Sequence, residues 1–167
     1  MAEGGAGSAY AGLISDQLAE ERSRKASLEA RGVSVITTSG VLVTVLFALS
    51  AGLRSVGDAR LPGVARVTLL LALVTFVLAA LFGLATNLPL RYKEPTPEGL
   101  AQLVDREYWA APAVIGELRV AESKVRVLAA ARAANRIKVT LLLVGAFLEL
   151  LAVAFLAVAV ANVLYAA

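Results

Sequence analysis

The sequence predicts an all-α integral membrane protein with three transmembrane helices and a cytoplasmic helical stalk. Of its 167 residues, 59% are hydrophobic and only 17% are charged, and the mean hydropathy is +0.76. A soluble domain of this size needs more polar surface to cover its core. Three apolar runs also reach the length of about 20 residues that a helix needs to cross a bilayer.

The N-terminal part predicts two segments. Residues 1–8 are rich in Gly, Ala and Ser, and we expect them to be disordered. Residues 10–31 predict a cytoplasmic amphipathic helix, because apolar residues recur on one of its faces: Tyr10, Leu13, Ile14 and Leu18. No proline separates this helix from the first apolar run, so we expect one continuous helix.

Residues 33–90 predict a two-span transmembrane hairpin. The spans cover residues 33–53 and 67–90, and neither contains a charged residue. The short link between them carries Pro62 and Gly63, and a link of this length joins antiparallel neighbours.

Residues 91–138 predict a cytoplasmic linker and a long helix. The linker contains a proline and glycine cluster, then a short helix over residues 100–111 with Tyr108 and Trp109, an aromatic pair typical of a membrane interface. Beyond it a heptad seam is formed by Val114, Leu118, Ala121, Val125 and Leu128. The same helix continues into the third transmembrane helix, residues 139–167.

The basic residues predict the topology. Of the 16 Lys and Arg residues, four precede the first span, nine lie between the second and third spans, and three lie in the short link. Cytoplasmic segments of membrane proteins carry the excess of Lys and Arg. We therefore expect a multi-pass protein with a cytoplasmic N-terminus and an external C-terminus. The net charge of +3 then indicates topology rather than nucleic-acid binding.

The residue types argue against an enzyme. The chain has no cysteine and no histidine, which removes thiol chemistry, the commonest general base and the commonest zinc ligand. It contains no HExxH, GxSxG or phosphate-binding glycine motif, and no carboxylate pair at metal-binding spacing. We expect no catalytic residue, no metal and no cofactor.

Glu149 is the one charged residue inside a predicted span. A carboxylate at this depth costs at least about 2.5 kcal/mol, so it must be protonated, paired or in contact with water. One interpretation is an ion or proton pathway, or a gate in an oligomer. The other is a protonated carboxyl group that is hydrogen-bonded to hydroxyls such as those of Thr44 or Thr75.

A second candidate site lies at the cytoplasmic end of the third span. Its members are basic or amide residues: Arg31, Arg132, Asn135, Arg136 and Lys138. They are candidates for binding an anionic ligand such as a nucleotide or a lipid headgroup. The alternative is that they set the topology and extend towards water.

Three short strings carry a resemblance to a known family. They are Leu28-Glu29-Ala30-Arg31-Gly32, Asn87-Leu88-Pro89-Leu90-Arg91 and Ala134-Asn135-Arg136-Ile137-Lys138. With the order of segments over residues 13–160, they resemble the SLATT group and the related Pycsar-type transmembrane effectors. These are small bacterial proteins linked to nucleotide-signalled antiphage systems. The entry to the first span has Arg31 where that family usually has lysine.

The resemblance implies a non-enzymatic effector in a bacterial inner membrane. A nucleotide second messenger or a partner protein at the stalk would promote homo-oligomerisation and make the bilayer permeable. The alternative is a structural or accessory membrane protein that binds a partner through its coiled-coil stalk. Neither hypothesis involves nucleic acid.

Overall fold

Three long helices make up most of the part of the chain that the structure describes. The computed structural model describes residues 6–55, 62–89, 99, 101 and 112–166. Helix α1 covers Ala6–Ser55, α2 covers Gly63–Asn87 and α3 covers Ala113–Ala166. No strand occurs among these residues. By length and composition, all three helices are able to cross a membrane, which confirms the all-α class and the number of apolar spans.

Helix α1 is continuous, as expected from the absence of proline, but it begins earlier than predicted. Residues 6–8 are helical rather than disordered. Gly7 lies near the side chain of Glu117, since a Cβ atom at Gly7 would be 3.8 Å from Glu117 Oε2. The added first turn of α1 therefore lies against α3. Residues 1–5 lie outside the described part of the chain.

Helix α2 is displaced towards the N-terminus relative to the predicted span of residues 67–90. Pro62 precedes its first residue, and the carbonyl group of Pro62 accepts a hydrogen bond from the amide of Arg66 at 3.2 Å. The helix ends at Asn87, and Leu88 is extended with ψ 139°. The cause is Pro89, because a residue before proline is driven out of the helical region.

Helix α3 continues the predicted stalk helix into the third apolar run without a break. Its first turn follows Pro112, whose carbonyl accepts a bond from the amide of Ile115 at 2.9 Å. The predicted short helix over residues 100–111, with its aromatic pair, lies outside the described residues except for Ala101.

The residues form two compact units, each containing a part of α1 and a part of α3. Unit 1 comprises Met1–Ser27 and Pro89–Ile137, and unit 2 comprises Leu28–Leu88 and Lys138–Ala167. Within unit 1 the two helical segments run parallel, because their contacts advance in the same direction from Ser15–Lys124 to Glu21–Asn135. The two helical segments of unit 1 therefore pair in parallel within one chain.

The buried face of α3 in unit 1 differs from the predicted heptad seam. Val114, Leu118 and Val125 of the seam are 75%, 59% and 47% exposed, whereas its last member, Leu128, is buried together with Ala131 and Ala134, which lie outside the seam. The reason is that polar side chains of α1 bond to α3 and set the register, which leaves part of the seam uncovered. We call Val114, Leu118 and Val125 the apolar stripe.

Unit 2 packs its helices through small residues. The core cluster joins Leu46 of α1, Phe76 and Ala72 of α2, and Ala152 of α3. The backbones approach closely at Gly32 and Gly83: a Cβ atom at Gly83 would lie 2.9 Å from the carbonyl oxygen of Gly32. Glycine is required there because the two backbones touch, as in the close helix contacts of membrane proteins.

Candidate functional site

Four side chains in unit 1 form a hydrogen-bonded group that we call the polar layer: Gln17, Glu21, Arg132 and Asn135. Arg132 donates to Gln17 Oε1 at 2.7 Å and lies 3.4 Å from Glu21 Oε1. Asn135 donates from Nδ2 to Glu21 Oε2 at 2.8 Å and to the carbonyl oxygen of Glu21 at 2.9 Å. Glu21 thus contacts both members from α3.

Helical spacing places these residues together. Gln17 and Glu21 are four residues apart on α1, and Arg132 and Asn135 are three apart on α3, so each pair shares one helix face. Asn135 is only 2% exposed. Asparagine is a poor helix former, and the bonds of Asn135 to Glu21 explain why it stands inside α3. Its Oδ1 atom is buried without a hydrogen-bond donor among the described residues.

A second polar contact extends the pairing of the same helices. Lys124 Nζ donates to Ser15 Oγ at 2.7 Å. Together with the polar layer, it means that polar bonds join the helices of unit 1 in addition to the burial of Leu18 and Leu128. Such bonds are exchangeable with water or with a ligand, because each is worth only about 0.5–1.5 kcal/mol net, or somewhat more where a charge takes part.

Unit 2 contains an ion pair at the beginning of its α3 segment. Lys138 Nζ bonds to Glu29 Oε1 at 2.5 Å. The lysine side chain is completely buried, while that of Glu29 is about one-third exposed. A buried ammonium group without a partner is costly, so Glu29 is what makes this position of Lys138 tolerable.

Three of the predicted anion-binding residues have an acidic partner on α1. Arg132, Asn135 and Lys138 all contact an acidic side chain of α1. Arg31 and Arg136 are exposed. An anion that binds Arg132 would have to compete with Glu21 for the guanidinium group.

Glu149 lies in the α3 segment of unit 2. Its Oε1 atom is buried and has no hydrogen-bond partner in the part of the chain that the structure describes. The two hydroxyls considered as its partners are bonded to their own helices: Thr44 donates to the carbonyl of Gly40, and Thr75 donates to that of Leu71 at 2.6 Å. Neither therefore donates to the carboxyl group.

Ser39 is a second buried polar residue of unit 2. It is fully buried, and its Oγ atom has no hydrogen-bond partner among the described residues. Most neighbouring hydroxyls differ from it, since those of Thr37, Thr38 and Ser50 each donate to the carbonyl four residues earlier. Ser39 is thus an exception to the local pattern.

Sequence reasoning missed the acidic partners and Ser39. Glu21 and Glu29 are separated from their partners by more than 100 residues, so local spacing gives no signal for either pairing. A small residue within an apolar run is usually a packing residue. Ser39 carried no sign that its hydroxyl would lack a bond to its own helix.

The described residues contain no group of three or more His, Cys, Asp or Glu side chains that could hold a metal ion. Comparison of the chain with protein-family models, with curated proteins and with solved structures finds no match. The functional argument therefore depends on the geometry of this chain.

Proposed function

We propose that the chain is a three-span protein of a bacterial inner membrane, with unit 1 in the cytoplasm and the C-terminus outside. Three helices of sufficient length and apolar character support the insertion. The uneven distribution of basic residues supports the orientation, because only three of the 16 lie in the link between α1 and α2.

Within that membrane we propose a non-enzymatic effector that oligomerises and makes the bilayer permeable. The observation that carries this proposal is the combination, in unit 1, of a polar layer inside the chain and an exposed apolar stripe beside it. Leu118, at the middle of the stripe, is 59% exposed. A run of exposed apolar residues outside the membrane favours contact with another protein surface.

The polar layer gives the assembly a means of control. It holds the N-terminal helix on α3 within one chain, through the bonds of Arg132 and Asn135 to Glu21. An anionic ligand such as a nucleotide second messenger would compete with Glu21 for Arg132. Once the two helices of unit 1 separate, each would be available to pair with a helix of a second copy. The apolar face of each helix is too narrow to keep that helix stable alone in water.

Depolarisation of cells provides the test. Induced expression of the full chain in a bacterium, followed with a membrane-potential dye, is expected to depolarise the membrane as the amount of protein rises. Leu118→Glu should abolish the depolarisation, because it places a charge in the apolar stripe. Ala133→Glu adds the same charge on an exposed part of α3 about 90° from the stripe and should leave the depolarisation intact.

Two results would count against the effector. Wild-type protein that accumulates in the membrane without changing the potential or growth would contradict permeabilisation. Equal depolarisation by the wild type and by Leu118→Glu would contradict the role of the apolar stripe in assembly.

The exposed apolar stripe also favours a second candidate function. An accessory membrane protein would use the stripe to bind a partner protein and would form no pore. The mass of the detergent-solubilised chain separates the two functions. A defined multimer that is lost in Leu118→Glu supports the effector, whereas a monomer or simple dimer in both proteins supports the accessory function.

A further inference from the structure

Two buried polar groups in unit 2 have no hydrogen-bond partners among the described residues, and both belong to the apolar segments of their helices. They are Ser39 Oγ on α1 and Glu149 Oε1 on α3. A buried polar group without a partner costs about 1–3 kcal/mol. Two such groups in one small bundle therefore call for a common explanation.

The two residues lie at the same depth in unit 2. The Glu29–Lys138 ion pair ties α1 to α3 at one level. Ser39 follows Glu29 by ten residues, and Glu149 follows Lys138 by eleven. At a rise of about 1.5 Å per residue, both are about 15–17 Å beyond the ion pair.

Both residues also belong to the helix faces that approach α2. Ser39 is seven residues from Gly32, whose added Cβ atom would lie 3.0 Å from the carbonyl oxygen of Gly83. Glu149 is one turn from Gly145, whose added Cβ atom would lie 3.4 Å from the carbonyl oxygen of Ala79. The two faces therefore meet the same part of α2, at Gly83, because the added Cβ atom of Gly145 would also lie 3.6 Å from the amide nitrogen of Gly83.

We propose that Ser39 and Glu149 together form an intramembrane proton-binding site. The Glu149 carboxyl group holds the proton, and one water molecule links it to the Ser39 hydroxyl, because the two groups have no direct hydrogen bond to each other. On release the proton passes to water and leaves a carboxylate; on binding the same O–H bond forms again. The inference rests on the membrane insertion proposed above and does not require permeabilisation.

The surroundings favour a proton over a metal cation. The apolar runs of all three helices contain no Lys or Arg that could neutralise an ionised Glu149. A neutral carboxyl group avoids the cost of a charge in hydrocarbon. Hard divalent cations take roughly six to eight oxygen ligands, and one carboxyl with one hydroxyl supplies far fewer.

Infrared difference spectroscopy of the full chain in liposomes tests the site. At neutral pH, exposed carboxyl groups are ionised. Subtracting the spectrum of Glu149→Gln from that of the wild type should therefore leave the C=O band of one protonated carboxyl. Ser39→Ala should move this band to higher wavenumber, since the carboxyl loses a hydrogen bond. Thr44→Ala is the matched control and should leave it unchanged, because Thr44 bonds to its own helix.

Flotation of the same liposomes and their resistance to alkaline extraction separate the possible failures. Protein that does not insert would overturn the membrane assignment and this site with it. Inserted protein without the protonated band, or with a band that Ser39→Ala does not move, would overturn the site alone. Loss of the band on adding Na⁺ at constant pH would show that the site binds a cation rather than a proton.

Discussion

The side chain of Lys138 is completely buried and bonds to Glu29, 109 residues earlier in the chain. The pair links α1 to α3 where the apolar part of unit 2 begins. Removing one member leaves the other without its partner, which is more damaging than removing both.

Glu29→Ala should therefore lower the free energy of unfolding by about 2–4 kcal/mol, at the low side of the range for buried pairs because Glu29 is partly exposed. The double substitution Glu29→Leu with Lys138→Met should recover most of this loss. Denaturant titration in detergent measures both. Glu20→Gln is the control, since Glu20 is exposed and, among the described residues, accepts a hydrogen bond from Gln17 in the same helix. Equal losses in the single and double variants would contradict the account.

Asn135 should be sensitive to the type of its replacement. Asn135→Ala removes two bonds to Glu21, and we expect a loss of about 1–3 kcal/mol. Asn135→Asp should cost more, because it sets a second carboxylate against that of Glu21. Hydrogen exchange of the amides of residues 6–27 measures the effect on the α1 segment of unit 1. Unchanged exchange in Asn135→Asp would show that the polar layer does not hold this segment.

Two glycines of unit 2 should respond in opposite ways to alanine. At Gly83 an added Cβ atom meets the backbone of α1 at 2.9 Å, so Gly83→Ala should cost about 1–3 kcal/mol. At Gly40 nothing lies within 4 Å, so Gly40→Ala should stabilise by up to about 1 kcal/mol through its helix propensity. Thermal unfolding in detergent compares them. A neutral Gly83→Ala would contradict the close packing of α1 and α2.

The absence of cysteine makes the topology directly measurable. Single cysteines at Ser23 and Ser55 lie on opposite sides of the first apolar run. In spheroplasts, a membrane-impermeant maleimide should label Ser55→Cys at once and Ser23→Cys only after permeabilisation. The reverse pattern would invert the proposed orientation, and equal labelling would contradict a membrane span between the two positions.

The helices could be predicted from the sequence, but the contacts between them could not. Hydropathy identified the three apolar runs because their length and composition are local properties. Asn135 is one of the residues that the sequence indicates as anion-binding, and it does lie in a polar group, but its partner there is the acidic Glu21. The heptad seam indicated burial correctly at Leu128 but not at Val114, Leu118 and Val125, since its pattern did not reveal that Gln17 and Glu21 would bond to α3. Ser39 could not be predicted from the sequence either, because its unusual feature is that its hydroxyl has no hydrogen-bond partner among the described residues.

The central claim is that the polar layer restrains the assembly of permeable oligomers. Glu21→Gln removes the charge that contacts Arg132, and Glu20→Gln makes the same change at an exposed neighbour. Efflux of a small cation from proteoliposomes at equal protein content is the decisive measurement. We predict that Glu21→Gln releases the cation several-fold faster than the wild type, that Glu20→Gln matches the wild type, and that Leu118→Glu matches protein-free liposomes. Efflux from the Glu21→Gln liposomes that is no faster than from wild-type liposomes would contradict the account.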